Sequence, residues 1–348
     1  MRTPPSLVRR SVARAVDAAA EATIAPGFSR LGIAWRRRLE GWTDPPPMGG
    51  GVVVVTGATS GIGLATATAL AGRGAALHLV GRNGDRGRQA LALVAAAGPG
   101  PVHLDLVDMA DPRAVMDLAT ALAERYETLD AVIHNAGALD RTYRTTATGV
   151  EQTVATHVLG PYLLTAMVAP LLWRRPPATI VTVSSGGMYA QRFDLDQLEM
   201  ERPHYDGVVA YARAKRAQVV LADAWARRFA PGSVASFAMH PGWVDTPGLE
   251  AGLPRFRTFG RPLLRTPAEG ADTAVWLAAG GPAADVSVER GPAPTSGFFH
   301  DRRVRRTDCL WVRHPTHPGD GDALLAWCAA RTEVETPVPP VGPRLVEP

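Results

Sequence analysis

VVVVTGATSGIG, residues 52–63, runs from four valines straight into a glycine-rich turn. An unbroken β-branched run suits a strand buried on both faces, as in the interior of a parallel sheet. Gly57, Gly61 and Gly63 then let the backbone approach a pyrophosphate, whose charge rests on the N-terminus of the following helix. The spacing is G-x3-G-x-G, not the G-x-G-x-x-G of the common dinucleotide fingerprint. Alone, the turn is compatible with a purely structural role as well.

Outward from this stretch, apolar runs alternate with helical periodicity. Further strands are expected at 76–80, 101–104, 129–134, 178–184, 233–239 and 296–300, and helices at 61–72, 85–97, 111–125, 150–173, 209–229 and 268–280. Six or seven strands alternating with helices imply one α/β domain over 49–331, a doubly wound, Rossmann-type parallel sheet flanked by helices. Loops 186–208 and 241–266 are long enough to be functional. The Pro-rich stretch 332–348 reads as a disordered tail.

Residues 1–48 read as a basic amphipathic helical extension ending in the linker DPPPMGG (44–50). Phe28, Leu31, Trp35, Leu39 and Trp42 recur at helical spacing, with Arg36, Arg37 and Arg38 mostly on the opposite side. Such a helix packs on its own domain or a second subunit, or lies in a membrane interface with arginines at the headgroups. Its removal up to residue 44 is expected to leave the nucleotide site folded.

The chain has 348 residues, 46% of them apolar, and a net charge of +4. Residues 1–44 hold eight arginines against four carboxylates, so the remainder is neutral and offers no broad basic surface for nucleic acid. Two cysteines make no disulfide framework, and the start lacks the apolar core of a signal peptide. The apolar stretch 160–173 is too short to span a bilayer of ~20 residues. A cytoplasmic protein is expected, with peripheral membrane contact through the N-terminal helix left open. Cys309, His314, His317 and Cys328 are spaced C-x4-H-x2-H-x10-C, which fits no standard zinc pattern, and no metal is assigned.

Two further stretches sit at carboxyl ends of expected strands, where an open α/β sheet binds its ligand. They are Asp105–Leu106 after the third strand and HNAG (134–137) after the fourth. The second strand ends LVGRNGDR, with Gly81 and Arg82 where a carboxylate would accept the ribose 2′-OH of NAD. A guanidinium forks onto phosphate oxygens, so Arg82 favours NADP(H), with NAD(H) also open. The last chemical signature is YARAK (211–215), which contains the only lysine among 37 basic residues.

TGATSGIG, NAG, VTVSSGG (181–187) and YARAK occur in that order, and together they resemble the short-chain dehydrogenase/reductase family over roughly residues 50–300. VSSGGM (183–188), YARAKRAQVVL (211–221), MHPGWVDTPG (239–248) and EGADTAVWLA (269–278) resemble a narrower group within it. The resemblance implies an oxidoreductase that moves a hydride between a nicotinamide and a small-molecule carbonyl or alcohol. It makes Tyr211 the acid/base and puts Lys215 at the nicotinamide ribose, with Ser185, rather than Ser184, donating to the substrate oxygen. A free phenol has a pKa near 10, and an ammonium one helical turn away would lower it. Cofactor contacts are expected from Thr56, Gly57, Ser60, Gly61, Ile62, Gly63, Arg82, Asp105, Leu106, Asn135, Ala136 and Gly137. Tyr211, Lys215, Pro241, Gly242, Val244 and Thr246 complete the set.

His157 stands where the family usually has an asparagine that supports a water leading from the lysine. Imidazole both donates and accepts, so a proton relay through His157 is expected to survive. The same departure motivates an alternative, a cofactor-binding scaffold or sensor with little turnover. A sugar-nucleotide epimerase is disfavoured by the glycine spacing. Met188, Tyr189, Phe193, Leu249, Leu253, Phe256 and Phe259 favour a lipophilic substrate, and the family commonly pairs its long helices into homo-oligomers.

Overall fold

The computed structural model describes residues 25–284, 294–308 and 315–340. Eight strands form one sheet in the order β3-β2-β1-β4-β5-β6-β7-β8. These are β1 Val52–Thr56, β2 Ala76–Gly81, β3 Val102–Leu106, β4 Ala131–His134, β5 Ala178–Val183, β6 Val234–Met239, β7 Ser296–His300 and β8 Arg303–Arg305. All neighbours pair in parallel except β7 and β8, a tight antiparallel hairpin. Three residues, two of them arginines, carry too little periodicity for β8 to be read from sequence. Strand order reverses between β1 and β4, and that switch point opens a crevice at the carboxyl ends of the strands.

The helices are α1 Arg30–Glu40, α2 Gly61–Ala71, α3 Gly84–Ala95, α4 Pro112–Arg125, α5 Gly160–Trp173, α6 Gly207–Phe229, α7 Pro247–Gly252, α8 Pro254–Gly260, α9 Pro267–Ala278 and α10 Asp320–Thr332. Their starts follow local chemistry. Asp111 and Asp206 cap the amides that open α4 and α6, and Thr266 and Glu269 form a capping box on α9. The valines of β1 divide between two cores. Val54 joins Leu122, Tyr162 and Trp225 on one side, while Val53 and Val55 join Leu70, Ala274 and Trp276 on the other. Helices cover both faces, which is why this strand has no polar alternation.

A single turn, Gln152–Val154, and a π turn, Ala155–Leu159, lead into α5. Together they make an apolar helical run of 22 residues, long enough to cross a membrane, yet mostly buried in the core. The expectation of a stretch too short to span is revised by this length; its burial identifies it as a core helix.

Three other expectations change. The extension is built into the domain from Gly27 onward, because Arg36 of α1 is fully buried and pairs with buried Asp301. Phe28, Ile33 and Arg36 face inward, while Leu31 is 59% exposed, so of the apolar stripe only Phe28 is fully buried. A cut at residue 44 would strip a partner from that buried ion pair. Helix α10 packs Leu324, Leu325 and Cys328 into the core, although no helix was expected there. The tail is held as far as Thr336: Tyr162 donates to the Val334 carbonyl (2.8 Å) and Arg228 to that of Thr336 (3.0 Å).

Candidate active site

Strand β5 ends in two serines that the backbone sends in different directions. Ser184 is buried and donates to the Lys215 carbonyl at 2.8 Å, tying β5 to α6. Ser185 is only half-buried; its Oγ accepts from the Gly187 amide at 3.1 Å, and the side chain stands close enough to the Tyr211 phenol to shift it. The serine beside the tyrosine is therefore Ser185. Burial raises the Tyr211 phenol above its usual range, and the Ser185 side chain beside it draws it partly back.

Four residues along α6, Lys215 is 4% exposed. Its ammonium donates to the Val183 carbonyl (2.8 Å) and to Gln218 Oε1 (3.0 Å), and it lies 5.5 Å from the centre of the Tyr211 ring. Burial pushes its pKa down to about 7. The lysine thus sits under the ring rather than at the hydroxyl, and near neutral pH it can itself gain and lose a proton.

His157 occupies the π turn, an irregularity that re-aims side chains and often marks functional sites. The ring stands edge-on to Tyr211, 5.5 Å between centroids. Nε2 lies 3.2 Å from the Ala138 amide and 3.0 Å from its carbonyl; Nδ1 is buried without a partner among the described residues. Burial, helped by the Lys215 charge, pushes its pKa down to about 3, so the imidazole is neutral at working pH. Its side chain braces the loop after Gly137. The backbone carbonyl is what reaches the lysine, because Gln218 Nε2 donates to it at 2.9 Å.

At the nucleotide end, Gly57 and Gly61 have φ of 67° and 55°. A Cβ on Gly63 would lie 2.3 Å from Asn135 Nδ2, so the packing admits only glycine there. Asn135 donates to the carbonyls of Thr56 (3.0 Å) and Gly57 (3.1 Å), and Thr56 Oγ1 accepts from the amides of Asn135 (3.0 Å) and Ala136 (3.1 Å). The Thr56 and Asn135 side chains are therefore engaged in bracing the turn. Ser60 caps α2 with no hydrogen bond from its side chain, leaving its hydroxyl beside the helix N-terminus. The 241–247 loop brings Thr246 beside Gly61, where an added Cβ would meet Thr246 Cγ2 at 3.2 Å. Val244 is buried against α9, and the Pro241 carbonyl accepts from Arg265 at 3.1 Å. Arg82, directly after β2, has a side chain 67% exposed, with only a 3.8 Å approach to Asp108. Asp105 pairs with buried His78, and Leu106 is exposed beside it. A helix start whose amides take no bond from the cap side chain, a glycine cradle and a strand end without a carboxylate fit a nicotinamide dinucleotide.

Residues 51–253 match the family described as short chain dehydrogenase. The chain is 38% identical over 277 residues to Dehydrogenase/reductase SDR family member 12 of Bos taurus, covering 79% of this chain and 84% of that one. The chain is a short-chain dehydrogenase/reductase. It is also 32% identical over 237 residues to Retinol dehydrogenase 11 of Mus musculus, covering 66% of this chain and 73% of the other. A crystal structure of a Mycobacterium paratuberculosis protein superposes with a TM-score of 0.65 at 24% identity, covering 85% of this chain and 99% of its own, and shows the same fold.

As a short-chain dehydrogenase/reductase, the protein is an NAD(P)-dependent oxidoreductase acting on alcohol or carbonyl groups. Sequence reasoning missed Gln218. The available signal was a lone amide in AQVVL, three residues after the lysine and so on its face of the helix. It also missed Arg265, Asp301 and His300, which no local pattern brings together. Of the expected pocket residues, Met188 is fully buried in a cluster with Val219 and Phe298, and Phe193 packs on the main core. Phe259 points to solvent. Of the four spaced Cys and His residues, Cys309 and His314 lie outside the described residues, and Cys328 is buried on α10.

Proposed function

We propose that this protein is an NADP(H)-dependent reductase or dehydrogenase of a lipophilic carbonyl or alcohol. The observation that carries it is the buried, near-neutral Lys215 held 5.5 Å beneath the Tyr211 ring, with Ser185 beside the phenol. The bound cofactor supplies or accepts the hydride. Tyr211 gives the proton to the carbonyl oxygen in reduction and takes it from the alcohol in oxidation. Ser185 donates a hydrogen bond to the same oxygen and orients it. Lys215 returns a proton toward Tyr211, and Gln218 holds the ammonium in place. Residues 56–63 and 135–137 cradle the dinucleotide, with Thr246 closing beside them.

Arg82, exposed and only loosely engaged at a strand end without a carboxylate, supports the 2′-phosphate form of the cofactor. The named substrate of the retinol dehydrogenase relative, an apolar alcohol, supports a lipophilic substrate here. A second reading, a scaffold with little turnover, draws on His157, whose imidazole has no hydrogen bond to Lys215 or Tyr211 among the described residues.

Single-turnover oxidation of NADPH against a panel of lipophilic ketones and aldehydes tests both. The expected results are tighter binding of NADPH than NADH and turnover that falls ~10²–10⁴-fold in Tyr211→Phe while NADPH binding persists. Tight cofactor binding with no turnover across the panel would favour the scaffold.

A further inference from the structure

Helix α8 and the turn Arg261–Leu263 after it, here called the lid, follow the 241–247 loop and α7. The ring of Phe256 contacts Trp243 of the 241–247 loop, 5.2 Å between centroids. Gly252 at the end of α7 lies against Leu139, on the loop that follows Gly137; an added Cβ would be 2.9 Å from that leucine. A groove of ≈ 360 Å³ between the lid and this loop is lined by Arg141, Leu253, Pro254, Arg255 and Phe256.

The outer surface of the lid is apolar and basic at once. Phe259 is 85% exposed, Leu263 41% and Phe256 36%. Phe256 and Phe259 are three apart in α8 and so share a face. Residues 253–266 contain four arginines and no carboxylate. Arg257 is engaged by Asp245 (2.6 Å) and Glu250 (2.7 Å), and Arg265 is buried on Asp301. Arg255 and Arg261 are exposed and have no acidic partner among the described residues. Single exposed apolar residues are ordinary. Two aromatic or aliphatic tips flanked by free guanidiniums, on a segment without acid, complement a layer that is apolar within and anionic at its surface.

We propose that the lid, α8 with the turn 261–263, docks on anionic lipid. Phe259 and Leu263 enter the acyl boundary, and Arg255 and Arg261 meet the headgroups. The N-terminal helix, first in line for this role by sequence, has Phe28, Ile33 and Arg36 turned into the protein. Docking through the lid sets the groove at the lipid surface, so an apolar substrate reaches the crevice without crossing water. The delivery route rests on the proposed lipophilic substrate; the docking does not, and its test needs no turnover.

The full chain is sedimented with phosphatidylcholine vesicles, with and without phosphatidylserine. The parent is expected to bind the anionic vesicles. Phe259→Ser with Leu263→Ser should weaken partitioning by at least roughly tenfold, since a fully buried large apolar side chain is worth about that much or more. Arg255→Gln and Arg261→Gln should each weaken it about fivefold on anionic vesicles only. All four side chains are exposed, so the variants should melt with the parent; if the double variant misfolds, the arginine variants decide. Parent protein that ignores anionic vesicles, or variants that bind as the parent does, would overturn the proposal. A parent that dimerises without vesicles while the double variant is monomeric would assign the surface to a second copy instead.

Discussion

Lys215 is the only amine-bearing side chain in the molecule, and its surroundings explain why an arginine would not replace it. Two short donations, to Val183 and Gln218, fit a compact ammonium in a site closed to water. A planar guanidinium is broader and stays protonated. With a pKa of about 7, Lys215 exchanges protons in the working range. Because the chain has one lysine, ¹³Cε-lysine labelling gives one side-chain signal. In the cofactor-free protein that signal should titrate near neutrality. Gln218→Glu places a carboxylate at the ammonium and should move the titration upward. Gln218→Leu removes an acceptor from the charged form and should move it downward. A merely structural Gln218 predicts no change in the titration of either variant.

At the scale of elements, one buried charge cluster ties three segments together. Asp301, in the β7–β8 turn, pairs with Arg36 of α1 and with Arg265 (2.6 Å). Burial alone would raise the Asp301 carboxyl, but the two guanidiniums hold it below its usual range. Arg265 also donates to the carbonyls of Gly27 (2.9 Å), Ser29 (3.1 Å) and Pro241 (3.1 Å), and the Trp243 amide donates to the Phe28 carbonyl (2.9 Å). The N-terminal segment is thereby fastened to the 241–247 loop. Asp301→Ala would leave two guanidiniums buried without a carboxylate. Breaking a buried pair in this way costs about 3–5 kcal/mol, so thermal unfolding of Asp301→Ala should show a loss of that order. A melting temperature equal to the parent's would show that water enters freely and the cluster fastens nothing. The sheet strands and main helices were legible because each carries its own period and caps. This clamp was not, because Arg36 reads locally as one of three surface arginines.

Across the whole molecule, buried neutral histidines set the response to acid. His134 and His157 are both pushed down to about 3 by burial, against about 6.5 in an unfolded chain. Between those values the unfolded state binds protons that the folded state does not, so stability falls as pH drops from about 6.5 toward 3. The melting temperature should decline through this window, and His157→Asn should decline less steeply. Identical slopes for parent and variant would mean that His157 is not held neutral. The sequence by itself determined the strand–helix alternation, the glycine turn and the order of the four motifs, because these depend on periodicity and on residues close in the chain. It also singled out Tyr211 and Lys215 through their one-turn spacing. Only the tertiary structure decided that Gln218 links Lys215 to the carbonyl of His157, and that Arg36 is buried. Each of those outcomes turns on which side chains distant segments present to one another, and a buried charge or amide takes its role from partners that local sequence does not contain.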